Sequence, residues 1–221
     1  MAKSKILIQL DSDPNASVFD AVVAVDAGVE HLLQYHSVEL EQVRDLVHGA
    51  MFTRSPQDLA ATALFIGGSN VASGEALLKQ VTKCFFGPMR VSVLLDANGA
   101  NTTAAAAVLA AAKHVELKGA TATILAGTGP VGQRATRLLA QQGAPVRLAS
   151  RTLSKAEEAC QAIRARLPEA KLQAVATASA DDTLAAVAGA QIVIAAGAAG
   201  IQLLSAAVLQ QARSLQVAID L

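Results

Sequence analysis

The residues Gly127-Thr128-Gly129-Pro130-Val131-Gly132 form a G-x-G-x-x-G sequence between an apolar run, 121–126, and a helical pattern, 131–142. In a strand–turn–helix unit the first glycine permits a tight turn and the second lets the backbone approach a pyrophosphate. The third lets the helix pack close to the strand. The helix N-terminus presents N–H groups and its positive dipole end to the phosphates. We therefore predict that residues 127–132 bind a dinucleotide; a plain glycine-rich βα turn is the alternative.

The end of the next predicted strand, 146–149, indicates which dinucleotide binds. An NAD site usually has an Asp or Glu here, which accepts hydrogen bonds from the ribose 2′-OH. This chain has Ser150-Arg151-Thr152 instead. Arg151 can pair with a 2′-phosphate through its fork of donors, while Ser150 adds a hydroxyl and Lys155 a point charge. The pattern favours NADP over NAD, with a solvated arginine at a strand end as the alternative.

Composition is typical of a globular α/β protein. Of 221 residues 52% are hydrophobic, 16% charged and 3% aromatic, and the net charge is zero. Small apolar residues suit a parallel sheet covered by helices. A basic stripe with interleaved aromatics is missing, so nucleic-acid binding is not expected. The apolar runs are too short for a signal peptide or a membrane span, which favours a cytoplasmic protein.

The cysteines and histidines form no metal or disulfide pattern. Cys84 and Cys160 lie far apart, and the four histidines make no ligand motif with cysteines or acids. We therefore expect two free thiols and no metal site.

Strand and helix patterns alternate along the chain, which predicts an N-terminal α/β domain, 1–100, followed by a Rossmann-type NAD(P)-binding domain, 101–221. The last predicted strand ends just before Leu221. Because such a strand usually leads into more chain, we expect the sequence to be truncated at its C-terminus. The predicted strands are 6–10, 62–66 and 91–95 in the first domain and 121–126, 146–149, 172–175, 192–195 and 215–219 in the second.

Polar and small residues follow two of these strands, where ligands bind in α/β sheets. After 91–95 come Asp96, Asn98, Asn101, Thr102 and Thr103, which we predict to contact substrate. The alternative is that Asn98 forms a turn with the next glycine and that Asn101 or Thr102 caps a helix.

After the strand 192–195 come Ala196, Gly197 and Ala198. Their small size permits close approach to the nicotinamide half of a cofactor, although a tight βα turn would need the same residues.

Several segments together resemble the NADP-dependent methylene-tetrahydromethanopterin dehydrogenases of C1-metabolising bacteria. The similarity runs over the whole chain, and 85–103 is its most specific part. Family members continue past the last matching strand, so any site residue located there is absent from this sequence. The segments are Ser17-Val18-Phe19-Asp20, Phe85-Phe86-Gly87-Pro88, 96–103, 126–132, Ser150-Arg151 and Ala196-Gly197-Ala198.

The resemblance implies oxidation of 5,10-methylene-tetrahydropterin to the methenyl cation, with hydride passing to C4 of NADP⁺. Some members also accept the tetrahydrofolate substrate. It implies a tetrahydropterin C1 carrier as substrate and a homo-oligomer. Two nitrogens flank the reacting carbon and delocalise its positive charge, so the protein has to align two rings and favour the growing cation, without a metal.

Asp20 matches the Ser-x-Phe-Asp motif of that family and is the candidate for the catalytic, pterin-binding carboxylate. The alternative is that it only caps a helix with Ser17, three residues earlier, in a capping box. Asp11 and Asp13 follow the first strand and could also face the cleft, although we interpret them as turn residues. Gly67, Gly68 and Gly87 are expected to shape the substrate cleft.

Two other functions stay open. One is another two-domain NADP dehydrogenase, of the shikimate or methylene-tetrahydrofolate type. Those enzymes usually have a lysine in the first domain that contacts the substrate. Here Lys79 and Lys83 lie in a helical pattern, on a face that we expect to be exposed to solvent. The other is a non-catalytic NADP-binding protein.

Overall fold

The computed structural model describes residues 3–221 and divides the chain into two compact units, with the boundary between Gly99 and Ala100. Each unit has its own parallel sheet, which confirms the predicted α/β class. Among the described residues no helix is both long and apolar enough to cross a bilayer.

The first unit has a four-stranded parallel sheet in the order β2-β1-β3-β4. Right-handed crossovers that run in opposite directions place α1 on one face and α2 and α3 on the other. The strand order reverses between β1 and β3, which makes the carboxyl ends of these strands the expected ligand site. The elements are β1 (Ile6–Leu10), α1 (Val18–Asp26), β2 (His31–Tyr35), α2 (Val43–Phe52), β3 (Thr62–Ile66), α3 (Val71–Lys83) and β4 (Ser92–Leu95).

The core of this unit lies between the sheet and the pair α2–α3. Alternate residues of the central strands, Leu10, Leu64 and Ile66, are fully buried there against Val47 and Val81, because side chains of a strand alternate between faces. The opposite face carries the buried Gln9, so it is polar at its centre.

One strand was missed by the sequence prediction, which gave this unit three strands. The fourth, β2, is the sheet edge, and four of its five residues are exposed. A half-buried strand is predicted from the alternation of apolar and polar residues in its sequence. An exposed edge strand shows no such pattern, which is the reason for the error.

The second unit has a five-stranded parallel sheet in the order β7-β6-β5-β8-β9. This is the strand order of a Rossmann-type half with two further strands, and it reverses between β5 and β8. The elements are α4 (Ala100–Ala112), β5 (Ala122–Leu125), α5 (Pro130–Gln141), β6 (Val146–Ser150), α6 (Leu153–Arg164), β7 (Leu172–Ala176), α7 (Ala180–Val187), β8 (Ile192–Ala195), α8 (Ala206–Gln211) and β9 (Val217–Asp220).

Small residues let α4 and α5 pack closely in this unit. Ala104 and Ala111 of α4 are buried in one cluster with Ala135 and Leu139 of α5. Alanine side chains permit short interhelical distances, as ridge-and-groove packing requires. The position of α5 therefore depends on α4 as well as on the sheet.

The matched substitutions Leu64→Ala and Leu94→Ala test the core of the first unit. Leu64 is fully buried in β3, whereas Leu94 in the neighbouring β4 is 56% exposed. We expect Leu64→Ala to lower the free energy of unfolding by about 2–5 kcal/mol because it leaves a cavity, and Leu94→Ala to change it by less than about 1 kcal/mol. Urea unfolding followed by tyrosine fluorescence reports on this unit alone, because Tyr35 is the only tyrosine and tryptophan is absent. Equal losses would contradict the assignment of the core.

Candidate active site

Two of the three glycines in the turn between β5 and α5 are required by packing. A β-carbon on Gly132 would lie 2.6 Å from the Cα of Gly127, and one on Gly127 would lie 2.9 Å from the carbonyl oxygen of Ile124. Both contacts are with backbone, which cannot move aside. The first and last glycines of the motif therefore fix how closely α5 approaches β5.

The middle glycine has a different environment. A β-carbon on Gly129 would find its nearest heavy atom, the carbonyl oxygen of Ala126, 3.8 Å away. Gly129 is the N-cap of α5 and makes no side-chain cap, and Pro130 occupies the first helical turn. A β-carbon at this position would make only ordinary van der Waals contact, so packing does not require a glycine here.

The other two residues of the turn have defined places. Val131 packs against the core of the second unit. The carbonyl oxygen of Thr128 accepts a hydrogen bond of 2.7 Å from the Nε2 of Gln133. Both interactions help to hold the turn in place.

A cavity of about 730 Å³ opens beside this turn. Hydroxyl groups and two cations line its polar side, and no Asp or Glu is among the described residues that line it. Its volume is that of a typical cofactor or ligand pocket. From the predicted set it includes Thr128, Ser150, Arg151, Lys155, Gly197 and Ala198.

Six polar lining residues were not predicted as cofactor residues: Thr152, Thr177, Ser179, Thr183, Gln202 and Ser205. Thr177 and Ser179 follow β7, the neighbour of β6 in the sheet, so the carboxyl ends of these strands share one edge. That strand order was the missing signal, since the residues themselves are ordinary turn residues. Ser179 also caps α7 in a capping box with Asp182.

The cation pair of the cavity stands at the start of α6. Ser150 is 7% exposed and its Oγ accepts a hydrogen bond of 3.3 Å from the N–H of Thr152, whereas Arg151 and Lys155 are exposed. Thr152 is the N-cap of α6. The fork of Arg151 is available for a phosphate, as an NADP site requires.

Ala196, Gly197 and Ala198 follow β8, across the strand reversal from the glycine turn. A β-carbon on Gly197 would lie 2.7 Å from the Cδ1 of Leu203. This neighbour is the end of a flexible side chain, so packing only partly explains the glycine. The three small residues leave the carboxyl edge of β8 accessible.

In the first unit, three loops meet at the carboxyl edge of the sheet. The N–H of Gly67 donates to the carbonyl oxygen of Leu10 at 3.0 Å, and the N–H of Asp96 donates to that of Ile66 at 3.0 Å. These bonds continue the ladders past the ends of the strands. They bring the residues that follow β1, β3 and β4 together.

Two carboxylates converge on the backbone of Gly67. A β-carbon there would lie 3.2 Å from Oδ2 of Asp20 and 3.4 Å from Oδ2 of Asp11. Asp11 is fully buried and accepts hydrogen bonds from the N–H groups of Asp13, at 2.9 Å, and Ser17, at 3.2 Å. Asp11 thus orders the loop before α1, which is a turn role, while Gly67 leaves room for both carboxylates.

Asp20 is not a partner in a capping box. The Oγ of Ser17 accepts a hydrogen bond of 3.2 Å from the N–H of Asp20, as a helix cap does. The reciprocal bond is not formed, because the N–H of Ser17 donates to Asp11 instead. The alternative that Asp20 only completes a capping box is therefore wrong.

Burial raises the pKa of Asp20 above its ordinary value. A hydrogen bond from Ser17 lowers this pKa, and the nearby carboxylates of Asp11 and Asp96 raise it again. The charged form of Asp20 is thus disfavoured in the protein alone. A cation placed beside it would relieve the repulsion among the three acids.

Asp13 has a structural role in this unit. Its carboxylate accepts hydrogen bonds from the N–H of Ser69, at 2.9 Å, and from its Oγ, at 3.0 Å. The bonds tie the loop after β1 to the loop after β3, in agreement with the interpretation of Asp13 as a turn residue.

The remaining predicted substrate residues fall on both sides of the unit boundary. Asn98 is exposed in the first unit with a φ of 53°, and its N–H donates to the carbonyl oxygen of Gly68 at 2.7 Å. Asn101, Thr102 and Thr103 belong to α4 of the second unit. Because α4 begins at Ala100, neither Asn101 nor Thr102 is its N-cap, so the expected cap was wrong, whereas the expected turn at Asn98 and Gly99 is confirmed.

Asn101 has a partner inside the second unit. Its Oδ1 accepts a hydrogen bond from the Nε of Arg134 in α5, and Arg134 also donates to the carbonyl oxygen of Pro130 at 3.1 Å. Asn101 thus links α4 to the first turn of α5. This contact positions the glycine turn and was not foreseen from the sequence.

The expectation that Gly87 shapes the substrate cleft was wrong. Gly87 lies in a tight turn closed by Phe86 and Met89, which precedes β4. Residues that precede a parallel strand lie at the amino edge of the sheet, whereas Asp11, Asp20 and Asp96 lie at the carboxyl edge.

Some known proteins are similar to this chain in sequence, and others are similar in fold. A family model described as methylene-tetrahydromethanopterin dehydrogenase, N-terminal, matches residues 18–98. The bifunctional protein MdtA of Methylorubrum extorquens is 43% identical over 220 residues, spanning 98% of this chain and 75% of that protein. The NAD(P)-dependent methylenetetrahydromethanopterin dehydrogenase of the same organism is 33% identical over 238 residues, spanning 100% of this chain and 76% of that protein. This chain belongs to the methylene-tetrahydromethanopterin dehydrogenase family.

Solved structures with low sequence identity share only the fold. Aspartate transcarbamoylase of Trypanosoma cruzi matches with a TM-score of 0.61 at 12% identity, over 99% of this chain and 71% of that one. Ornithine carbamoyltransferase of Campylobacter jejuni matches with a TM-score of 0.58 at 11% identity, over 99% and 75%. The arrangement of strands and helices is thus used by enzymes of other chemistry, and the family assignment rests on the sequence relatives.

The substitutions Gly129→Ala and Gly132→Ala separate ligand approach from packing in the glycine turn. We expect Gly129→Ala to keep the free energy of unfolding within about 1 kcal/mol, because its β-carbon meets open space, and to weaken NADP binding about 10–100-fold. Gly132→Ala should lower the stability by at least about 2 kcal/mol, because its β-carbon strikes the backbone of Gly127. Thermal unfolding and titration calorimetry measure the two effects. Normal NADP affinity in Gly129→Ala would contradict the assignment.

Proposed function

We propose that this chain is an oxidoreductase that transfers hydride from 5,10-methylene-tetrahydromethanopterin to NADP⁺ and gives the methenyl form. Membership of the dehydrogenase family supports the reaction class. The relative from Methylorubrum extorquens is named as an NAD(P)-dependent enzyme for this pterin. The observation that carries the cofactor half is the acid-free cavity beside the glycine turn.

The second unit fits NADP. Gly129 leaves the space that a diphosphate needs next to the first turn of α5, and the N–H groups there are the donors. Arg151 and Lys155 supply positive charge, and Ser150 a hydroxyl, for the 2′-phosphate. When bound, NADP⁺ supplies the nicotinamide C4 that accepts the hydride.

The first unit fits the pterin. Its carboxyl edge holds Asp20 and Asp96, and Asp11 orders the loop that leads into α1. As hydride leaves the one-carbon bridge, positive charge develops on the carbon and its two nitrogens. We assign Asp20 the role of stabilising that charge, because a preorganised carboxylate in a partly desolvated place favours the cation more than water does.

We also assign roles to the other predicted substrate-binding residues. Asp96 and Asn98 stand in the loop after β4, at the edge where Asp20 lies, and are proposed to hydrogen-bond the pterin. Asn101 has a partner in Arg134, so we assign it to positioning α5 first. Thr102 and Thr103 are proposed as polar contacts, the first exposed and the second half-buried.

The alternatives are less well supported. A shikimate-type enzyme needs a lysine at its substrate site, whereas Lys79 and Lys83 are exposed in the second half of α3, which runs away from the carboxyl edge. A non-catalytic NADP-binding protein has no use for the carboxylates around Gly67. We further propose use of methylene-tetrahydrofolate as a second substrate, a cytoplasmic location and no binding of nucleic acid, the last supported by a net charge of zero.

A spectrophotometric assay tests the proposal directly. Formation of NADPH with methylene-tetrahydromethanopterin, and none with shikimate, is the expected result. Binding of NADPH without turnover on either pterin would favour the non-catalytic alternative. Turnover on methylene-tetrahydrofolate alone would replace the first substrate with the second.

Arg151→Ala tests the contact with the 2′-phosphate. We expect the dissociation constant of NADP⁺ to rise about 10–100-fold, because a charge-assisted pair is lost, and that of NAD⁺ to change less than about threefold. Arg166→Ala is the matched control, since Arg166 is exposed after α6 and does not line the cavity. Equal losses for the two cofactors would defeat the assignment.

Asp20→Asn tests the stabilisation of the cation. We expect kcat to fall about 100–1,000-fold. In the wild type kcat should fall on the acid side as Asp20 becomes protonated, above the range of an ordinary aspartate because its pKa is raised, and this limb should vanish in the variant. At neutral pH the variant should unfold at no lower temperature than the wild type, because the charged form is the one that the folded protein disfavours.

Asp26→Asn is the matched control for Asp20→Asn. Asp26 ends the same helix and is exposed, so it should leave kcat unchanged. An unchanged kcat in Asp20→Asn would remove Asp20 from the mechanism.

A further inference from the structure

Phe65 in β3 lies on the face of the first sheet that is turned away from α2 and α3. Leu64 and Ile66 on either side of it are buried in the core under those helices, and the side chains of a strand alternate between faces. Phe65 is half-buried, yet within residues 3–221 it packs against none of the buried apolar clusters. The packing of a core therefore does not explain a large aromatic side chain at this position.

The side chain beside Phe65 on this face belongs to Gln9, its register partner in β1. Gln9 is 1% exposed, and its Oε1 accepts a hydrogen bond of 3.0 Å from the Nε2 of Gln34. Its own Nε2 is buried and has no hydrogen-bond partner among the described residues. Neither Gln9 nor Phe65 therefore donates a hydrogen bond to a carboxylate, so these two side chains offer a nearby acid no replacement for water.

The ring of Phe65 reaches the two carboxylates that converge on Gly67. A β-carbon on Gly67 would lie 3.1 Å from Cε1 of Phe65, the nearest of its neighbours. The same point is 3.2 Å from Oδ2 of Asp20 and 3.4 Å from Oδ2 of Asp11. Because a glycine occupies position 67, no side chain of that residue separates the ring from the carboxylates. An aromatic carbon is therefore a close neighbour of Asp20 on the side of the sheet.

Loss of water is the main influence on the carboxyl group of Asp20. Burial is the largest cause of its raised pKa; the hydrogen bond from Ser17 lowers this pKa, and the charges of Asp11 and Asp96 add to the rise. None of the nine residues of α1 is buried, so the helix that carries Asp20 does not enclose it, and water is excluded from the side of the sheet, where Phe65 lies. A carboxylate with less water around it attracts a positive charge more strongly, because the local dielectric is lower.

We propose that Phe65 is a positioning residue of the hydride-transfer site, which keeps water away from the carboxylate of Asp20. The role rests on the proposed function, in which Asp20 stabilises the cation that forms as hydride leaves. Without the ring, water solvates the carboxylate and screens it from the developing charge. The loss arises in the transition state, whereas the contacts that bind the uncharged substrate stay in place. Phe65 therefore affects kcat rather than KM, and it acts only through Asp20.

A double-mutant cycle on kcat tests this role. We expect Phe65→Ala to lower kcat about 10-fold and to change the KM for the pterin less than about threefold. In an Asp20→Asn background the same substitution should change kcat less than about twofold, because no charge remains to be kept from water. Phe65→Leu should restore most of the activity, since leucine excludes water without an aromatic ring. Phe85→Ala is the matched control, because Phe85 is also half-buried but packs against the core under α2 and α3, and its kcat should equal that of the wild type.

Three kinetic results would overturn the proposal. One is a loss of kcat in Phe65→Ala that is equally large in both backgrounds. The second is an effect that falls mainly on KM, and the third is a Phe65→Leu variant as impaired as Phe65→Ala. Each would mean that the ring contacts the pterin itself or only supports the strand.

A carbon-13 NMR titration of the carboxyl group of Asp20 tests the exclusion of water with no substrate or cofactor present. Its signal is assigned by its absence in Asp20→Asn. Phe65→Ala should lower the pKa of Asp20 towards the ordinary value as water returns, whereas Phe65→Leu and Phe85→Ala should leave it as in the wild type. Phe65→Thr should act like Phe65→Ala and replaces it if circular dichroism shows that the alanine variant does not fold, because a β-branched residue suits a strand.

An unchanged pKa of Asp20 in a folded Phe65→Ala or Phe65→Thr variant would overturn the proposal. The titration also separates this inference from the reaction on which it rests. A wild type that is inactive on the pterin, but whose Asp20 responds to Phe65→Ala as expected, would refute the proposed function and leave the exclusion of water by Phe65 intact.

Discussion

The close approach of α5 to β5 is the constraint on which the cofactor unit depends. Gly127 and Gly132 bring two backbones so near that a single methyl group would separate them. The N-terminus of α5 is thereby held at the carboxyl edge of the sheet, at the reversal between β5 and β8. The bond from Arg134 to Asn101 joins this turn to α4, so the turn is held both by the sheet and by α4.

The clustered carboxylates lower the stability of the first unit, as residues of functional sites often do. Burial raises the pKa of Asp20, and the nearby carboxylates of Asp11 and Asp96 raise it further. A purely structural loop would gain from an amide at position 20. The hydrogen bonds of Asp11 to two backbone N–H groups give it a structural reason to be there; no comparable bond to backbone explains the carboxylate of Asp20. That asymmetry supports the proposed cationic partner of Asp20.

The sequence predicted the parts of the fold that periodicity and glycine chemistry control. The strands that face a core, such as Ile6–Leu10 and Ile192–Ala195, match the structure residue for residue, because burial imposes an apolar pattern. The sequence analysis missed β2 because most residues of this edge strand are exposed, so its sequence has no apolar pattern. Thr177 and Ser179 were missed because their place in the lining of the cavity depends on the order of the strands in the sheet. That order cannot be deduced from a single sequence. Gly87 was misplaced because resemblance to a family motif says nothing about which edge of the sheet a turn occupies.

Charge is divided between the two units in a way that suits one reaction. The cavity of the second unit offers cations and hydroxyls and, among its described lining residues, no acid, as an anionic dinucleotide requires. The carboxyl edge of the first unit gathers acids, which suit a substrate that becomes a cation when it loses hydride. Acidic side chains would repel the phosphates of a dinucleotide, and an arginine would repel a methenyl cation. The proposed roles of Arg151 and Asp20 thus lie in different units, in agreement with the opposite charges of the two proposed ligands.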